Sequence, residues 1–315
     1  MRVSQVLSTV FQCVSFALGL LCASASLAAD GPGLVDAARN GNVDAVRSLL
    51  KGGADPNQAA PDGSTAVHWA VHGDNLAMLN ALLDAGARPD AVTRYRIAPL
   101  TLAAQNGSAA LVERLLSAGA KPDTVSEEGQ TALMTAARNG SVAAVRALLK
   151  RGAQVSLAES FRGQTALMFA AGEGNTDAAK LLLEFGAKLN ERSKGGYTPL
   201  LFAVRNNRYE TVTFLLKQGA NVNDRLPDGT SALSVAMLNA DFDLAAMLLD
   251  SGADPNVPDP RGHPLHVVVW LHQPGAPPDF AMNGEDPRPV AADVQRLDQP
   301  SLPRAPQLLR RRDAE

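Results

Sequence analysis

The sequence predicts an all-α solenoid, a row of helix–turn–helix units stacked side by side, and three observations carry that prediction. A Gly-Ala pair returns at Gly53, Gly86, Gly119, Gly152, Gly186, Gly219 and Gly252, at intervals of 33, 33, 33, 34, 33 and 33 residues. Paired leucines precede each of these glycines, from Leu49-Leu50 to Leu248-Leu249. Aromatic residues are scarce, at 4%, which suits short, closely packed helices better than a bulky globular core. A fixed period of this size marks units that bury their apolar faces against their neighbours.

The chain opens with a processing signal rather than with the array. Arg2 is the sole charge before Asp30, Val6 to Leu21 is mostly apolar, and the small residues of CASASLAAD follow. This is the layout of a secretory signal peptide covering residues 1–29, with cleavage after Ala25, Ala28 or Ala29. The apolar run is short for a transmembrane span of about 20 residues, which argues against an anchor. Cys22 lacks the flanking residues of a lipoprotein site. Both cysteines, Cys13 and Cys22, fall in this segment. The mature chain would contain no thiol, and so neither disulfides nor a Cys nucleophile. It would carry 28 basic against 32 acidic side chains, a balance with no strong pull toward nucleic acid or anionic membrane. A periplasmic or secreted location follows as an expectation, with membrane contact only through the transient signal.

The array itself is expected over residues 30–271. Leu34 to Asn57 is a first unit without its leading turn, and units led by Asp62, Arg94, Glu128, Arg162, Gly195 and Asp228 follow. Thr65, Thr131, Thr165 and Thr198 stand where a hydroxyl can cap a helix, and Pro99 and Pro199 at a first helical position. A short helix comes next, and Gly41, Gly107, Gly140 and Gly174 can end it in the left-handed conformation. The second helix carries the paired leucines, the Gly of the Gly-Ala pair stops it, and a polar triplet such as Asp254-Pro255-Asn256 turns the chain onward.

These residues resemble the ankyrin repeat. Gly196-Tyr197-Thr198-Pro199-Leu200 and Gly252-Ala253-Asp254-Pro255-Asn256 are the clearest stretches, and seven units from Leu34 to Asn256 follow the pattern in phase. The resemblance implies paired antiparallel helices with projecting β-turns, in an ankyrin-repeat solenoid of about seven units plus a partial eighth. It also implies binding of other proteins along a concave side. Departures are visible: Ala98 replaces a capping Thr, Arg96 a turn Gly, and Asp74, Asn207 and Ala240 the helix-ending Gly. An eighth unit begins as RGHPLHVVVW at Arg261 and then loses the pattern. From Leu271 the chain has eight prolines in 45 residues and ends on Arg310-Arg311-Arg312 before Asp313; a Pro-rich, mostly disordered tail is expected over 272–315.

Catalytic chemistry finds no foothold. No G-x-S-x-G elbow, P-loop or H-E-x-x-H occurs. His68 and His266 fall at the family's turn-stabilising position. His263, His266 and His272 lie close together but lack a Cys or well-placed carboxylate to complete a metal site. Met134 and Met168 read as packing, and Trp69, Phe169 and Phe202, sharing one register, as core between units. An enzyme, a cofactor and a metal are therefore not expected.

The resemblance places partner contacts on the turn tips and the end of each first helix. That row holds seven Lys or Arg and five acidic residues. Arg and Tyr are enriched in binding hot spots, which singles out Arg94, Tyr95, Arg96, Arg138, Arg162 and Tyr197, with His72 and Arg205 on the helix row. Tyr95 and Tyr197 are expected on exposed turns, and the asparagines ending the first helices are expected to be caps. The expected function is a non-catalytic scaffold for an unidentified protein partner, with no nucleic acid and no small-molecule substrate. The alternatives are an accessory or tethering subunit of an envelope enzyme complex, a truncated piece of a longer repeat protein, or a metal-dependent hydrolase using the late histidines.

Overall fold

The computed structural model describes residues 33–257. The signal segment, the start of an eighth unit with His263, His266 and His272, and the Pro-rich tail lie outside the described residues. The described chain forms two compact units, divided between Arg94 and Tyr95. It contains fourteen helices and no strand; four single antiparallel bridges are its sole β-type pairings. No helix among the described residues is long and apolar enough to cross a membrane.

The first unit holds α1 (Leu34–Arg39), α2 (Val43–Lys51), α3 (Ala66–His72) and α4 (Leu76–Asp84). The second holds α5 (Pro99–Gln105), α6 (Ala109–Ser117), α7 (Ala132–Arg138), α8 (Val142–Lys150), α9 (Ala166–Glu173), α10 (Thr176–Glu184), α11 (Pro199–Arg205), α12 (Tyr209–Lys217), α13 (Ala232–Leu238) and α14 (Phe242–Asp250). Within each unit odd-numbered helices pack on the next odd-numbered helix, even-numbered helices likewise as far as α12, and each odd helix packs on the even helix that follows it; α12 reaches α14 through the Thr213 hydroxyl, 3.2 Å from Met247 Sδ. The sequence pattern dictates this. In every pair after Leu49-Leu50, where Leu49 is half-buried, the first leucine, Leu82, Leu115, Leu148, Leu182, Leu215 and Leu248, is completely buried. Each such side chain contributes roughly 1.5–3 kcal/mol of burial.

Helix starts follow the hydroxyl positions. Thr131, Thr165 and Thr198 accept from the backbone N–H of Met134, Met168 and Leu201 at 3.3, 3.4 and 3.4 Å. Ser231 does the same for Ser234 at 3.1 Å. At Thr65 the buried His68 closes a reciprocal cap, its Nδ1 3.1 Å from the Thr65 backbone nitrogen. Met134 and Met168 stand at the equivalent place and are buried, as packing residues should be.

Helix ends hold a surprise. Gly41, Gly107, Gly140 and Gly174 have φ of 71, 69, 72 and 83°, as their residue type allows. The substituted positions take the same conformation, with φ of 49° at Asp74, 55° at Asn207 and 54° at Ala240. Arg96, in place of a turn glycine, sits at 55°. The stack imposes the left-handed turn on residues that resist it by roughly 1–2 kcal/mol.

Candidate protein-binding face

In each unit, taken by itself, guanidinium groups at the ends of odd-numbered helices lie over aromatic rings. In the first unit Arg39, ending α1, places its guanidinium carbon 4.7 Å from the centroid of Trp69 on α3. His72 meets the same indole edge-on, ring centroids 5.8 Å apart. In the second unit Arg138, ending α7, lies 4.2 Å over Phe169 on α9. Arg205, ending α11, lies 5.4 Å over Tyr197, whose ring packs 5.1 Å from Phe202. A guanidinium over a ring face is attracted by the ring quadrupole, worth about 0.5–1 kcal/mol at exposed sites.

These contacts correct two expectations. Trp69, Phe169 and Phe202 are half-buried rather than core; the helical period marks which face they share, and the cations stacked above Trp69 and Phe169 close that face. Tyr197 is half-buried, because its finger folds the ring back onto Phe202. Tyr95, at 65% exposure, does project from its turn.

The fingers are pinned from within. In the first unit Asp62 accepts from the backbone N–H and hydroxyl of Ser64 at 2.8 and 2.7 Å. The Ser64 hydroxyl, followed by its N–H, holds the Asp62 carboxyl below the usual carboxylate range. Backbone bonds join one finger to the next: Arg94 N–H to the Asp62 carbonyl at 2.9 Å, Ser160 to Glu128 at 2.9 Å, and Lys194 to Arg162 at 2.8 Å. The helix-ending asparagines cap, but across repeats. Asn139, Asn206 and Asn239 donate side-chain amides to Gln105, Gly172 and Arg205 carbonyls at 2.8, 2.7 and 3.0 Å.

In the second unit a concavity of about 650 Å³ opens between two fingers. Arg138, Phe169, Phe161 and Arg162 line it, with Glu127 and Glu128 also on its walls. Of the residues singled out from the sequence, Arg138 and Arg162 meet here. Tyr197 and Arg205 pair with each other in the same unit. Tyr95 and Arg96 begin that unit, whereas His72 and Arg94 belong to the first. Phe161, 76% exposed, and Phe169 complete the concavity; the sole sequence trace of its enlarged finger is the single 34-residue interval. No group of three His, Cys, Asp or Glu among the described residues could hold a metal ion.

The model of the family described as ankyrin repeats (3 copies) matches residues 34–126, 73–159, 100–193, 154–226 and 193–259. Among solved structures, the chain is similar to the ankyrin repeat domain of Bcl-3, described as a unique member of the IkappaB protein family. Identity is 34% and the TM-score 0.58, over 65% of this chain and 94% of that one. It is also similar to the human ASB11 ankyrin repeat domain, at 29% identity and a TM-score of 0.62, over 70% and 98% of the two chains. A search of curated proteins returns no match.

Proposed function

The chain belongs to the ankyrin repeat family, and from that premise we propose that it is a non-catalytic scaffold holding one partner protein on its finger-and-helix face. Ankyrin repeats are general protein–protein interaction modules. The observation that carries the reading is the Arg138 guanidinium set 4.2 Å over Phe169 on the wall of the second-unit concavity. Arginine and aromatic side chains fixed before an encounter lose little ordering entropy on binding, and these residue types dominate binding hot spots.

The mechanism is rigid presentation along the concave side of the array. Arg94, Tyr95, Arg96, Arg138, Arg162, Tyr197, His72 and Arg205 are the proposed contacts. The apolar N-terminal segment supports a periplasmic or secreted setting, so the partner is sought in the cell envelope. The test is affinity capture from envelope extracts by the wild-type chain and by an Arg94→Ala, Tyr95→Ala, Arg138→Ala variant of equal helix content. A protein retained by the first and lost from the second supports the reading. Equal retention by both would move the contact surface elsewhere.

A further inference from the structure

One finger of the second unit differs from its neighbours by a residue. Val125 bridges to Thr131 and Arg225 to Ser231, but Ala158 bridges to Thr165 across one residue more. The buried Glu159 absorbs the addition. Its carboxylate accepts from the backbone N–H groups of Phe161, Arg162 and Gln164 at 2.6, 2.7 and 3.0 Å. Charge spent on three backbone donors is not offered to the surface, and the same bonds fix the tip that exposes Phe161.

The two arginines on this wall rest on uncharged partners. Arg162 lies 5.8 Å over the Phe161 ring. Arg138 donates to the uncharged Gln130 amide oxygen at 3.3 Å. Neither forms an ion pair among the described residues, where Arg39, Arg88, Arg192 and Arg208 each do. Glu127 and Glu128 occupy the same concavity, and Glu128 accepts from Gln130 Nε2 at 3.1 Å. A polyanion such as a nucleic acid, carrying a phosphate at every nucleotide, would meet those two carboxylates. A single carboxylate need not.

Resting on the reading that this face binds a protein, we propose that the concavity receives an extended segment of the partner that carries one acidic residue beside an apolar one. A carboxylate of that segment pairs with Arg138 and Arg162, and an adjacent apolar side chain lies on the Phe161 ring. Arginine presents paired N–H donors matched to carboxylate geometry, and Phe161 supplies the apolar area beside them.

The probes are fluorescein-labelled octapeptides carrying one central Glu flanked by Leu among serines (the Glu-Leu peptide), the same peptide with Lys in place of Glu (the Lys-Leu peptide), and one with Glu among serines alone, titrated by anisotropy against the full chain. The Glu-Leu peptide should bind the most tightly. R138A/R162A should weaken it about tenfold, and F161S about fivefold, as expected for hot-spot truncations. R138K/R162K, which keeps charge but not the planar fork, should fall between wild type and R138A/R162A. E127Q/E128Q should tighten it about threefold by removing like charge. Matching circular dichroism spectra exclude unfolding as the cause. Equal or tighter binding of the Lys-Leu peptide, or indifference of the Glu-Leu peptide to R138A/R162A, overturns the proposal. If an envelope protein is still captured in an Arg138-dependent way while the Glu-Leu peptide fails to bind, the scaffold reading survives and this inference does not.

Discussion

The side-chain amide of Asn175 donates to the backbone carbonyl oxygen of Arg138, 2.6 Å away and 37 positions earlier in the chain. A second bond reaches the Ala137 carbonyl at 3.0 Å. Asn175 precedes α10 yet makes no side-chain cap to it; it closes instead the end of α7, the helix that carries Arg138. Gly140 makes room for this, since a Cβ there would meet Asn175 Oδ1 at 2.5 Å.

Replacing Asn175 therefore acts on both stability and presentation. Asn175→Ala removes the side-chain donor from the Arg138 carbonyl and leaves Ala137 with the Gly140 N–H at 3.3 Å, and should cost roughly 1–3 kcal/mol, read as a lower midpoint in urea denaturation. Asn175→Asp should cost more, because a carboxylate would face two carbonyl oxygens. An aspartate variant as stable as wild type would show that the bonds contribute nothing.

The left-handed position at Ala240 offers the opposite experiment. Its φ of 54° is strained for an L side chain, and Gly removes the strain while adding unfolded-state entropy. Ala240→Gly should stabilise the chain by a net ~0.5–1 kcal/mol, seen as a higher melting temperature. Gly174→Ala, at φ 83° and with Arg208 Cδ 2.9 Å from the added methyl, should lower it. A fall in melting temperature for Ala240→Gly would place the strain elsewhere.

Ala240 also marks where sequence reasoning reaches and where it stops. The glycine at 41, 107, 140 and 174 announces a helix end through its own conformational preference. Ala240 announces nothing, and takes the same turn because its neighbours in the stack demand it. Likewise Trp69, Phe169 and Phe202 disclose their shared face by helical spacing, but the arginines that stack on Trp69 and Phe169 arrive from the preceding repeat, 30 and 31 positions away. Tyr197 reads as a turn residue, and nothing local says that its ring folds onto Phe202. The hydroxyl caps at Thr131 and Thr165 were legible since donor and acceptor lie three residues apart.

Tyr209 should be the alkaline marker of the array. Its hydroxyl donates to Asp241 Oδ1, which also accepts from the Leu244 N–H at 3.0 Å to start α14. The hydrogen bond to Asp241, with burial and the carboxylate charge, pushes the phenol up to about 12, against about 10 in an unfolded chain. Because the folded value is the higher, the contribution to stability is complete below the unfolded value and is lost as pH rises through the folded one. Absorbance titration of wild type minus Tyr209→Phe should isolate one tyrosine ionising near 12. A difference curve centred near 10 would mean that the bond does not persist in solution.

Glu159 is the residue on which the enlarged finger turns. Its carboxylate satisfies three backbone donors that no strand or helix would otherwise pair. In Glu159→Ala those donors must find water, which requires the finger to open, and the loss should be about 1–3 kcal/mol. The opening is local, because the adjoining α9 keeps its own cap at Thr165. Amide hydrogen exchange should therefore quicken at Phe161, Arg162 and Gln164 while Leu148 and Leu182, buried in the second helices, stay protected. Exchange that rises equally at all five positions would show that Glu159 holds up the whole array, and the finger would not be a separately built feature.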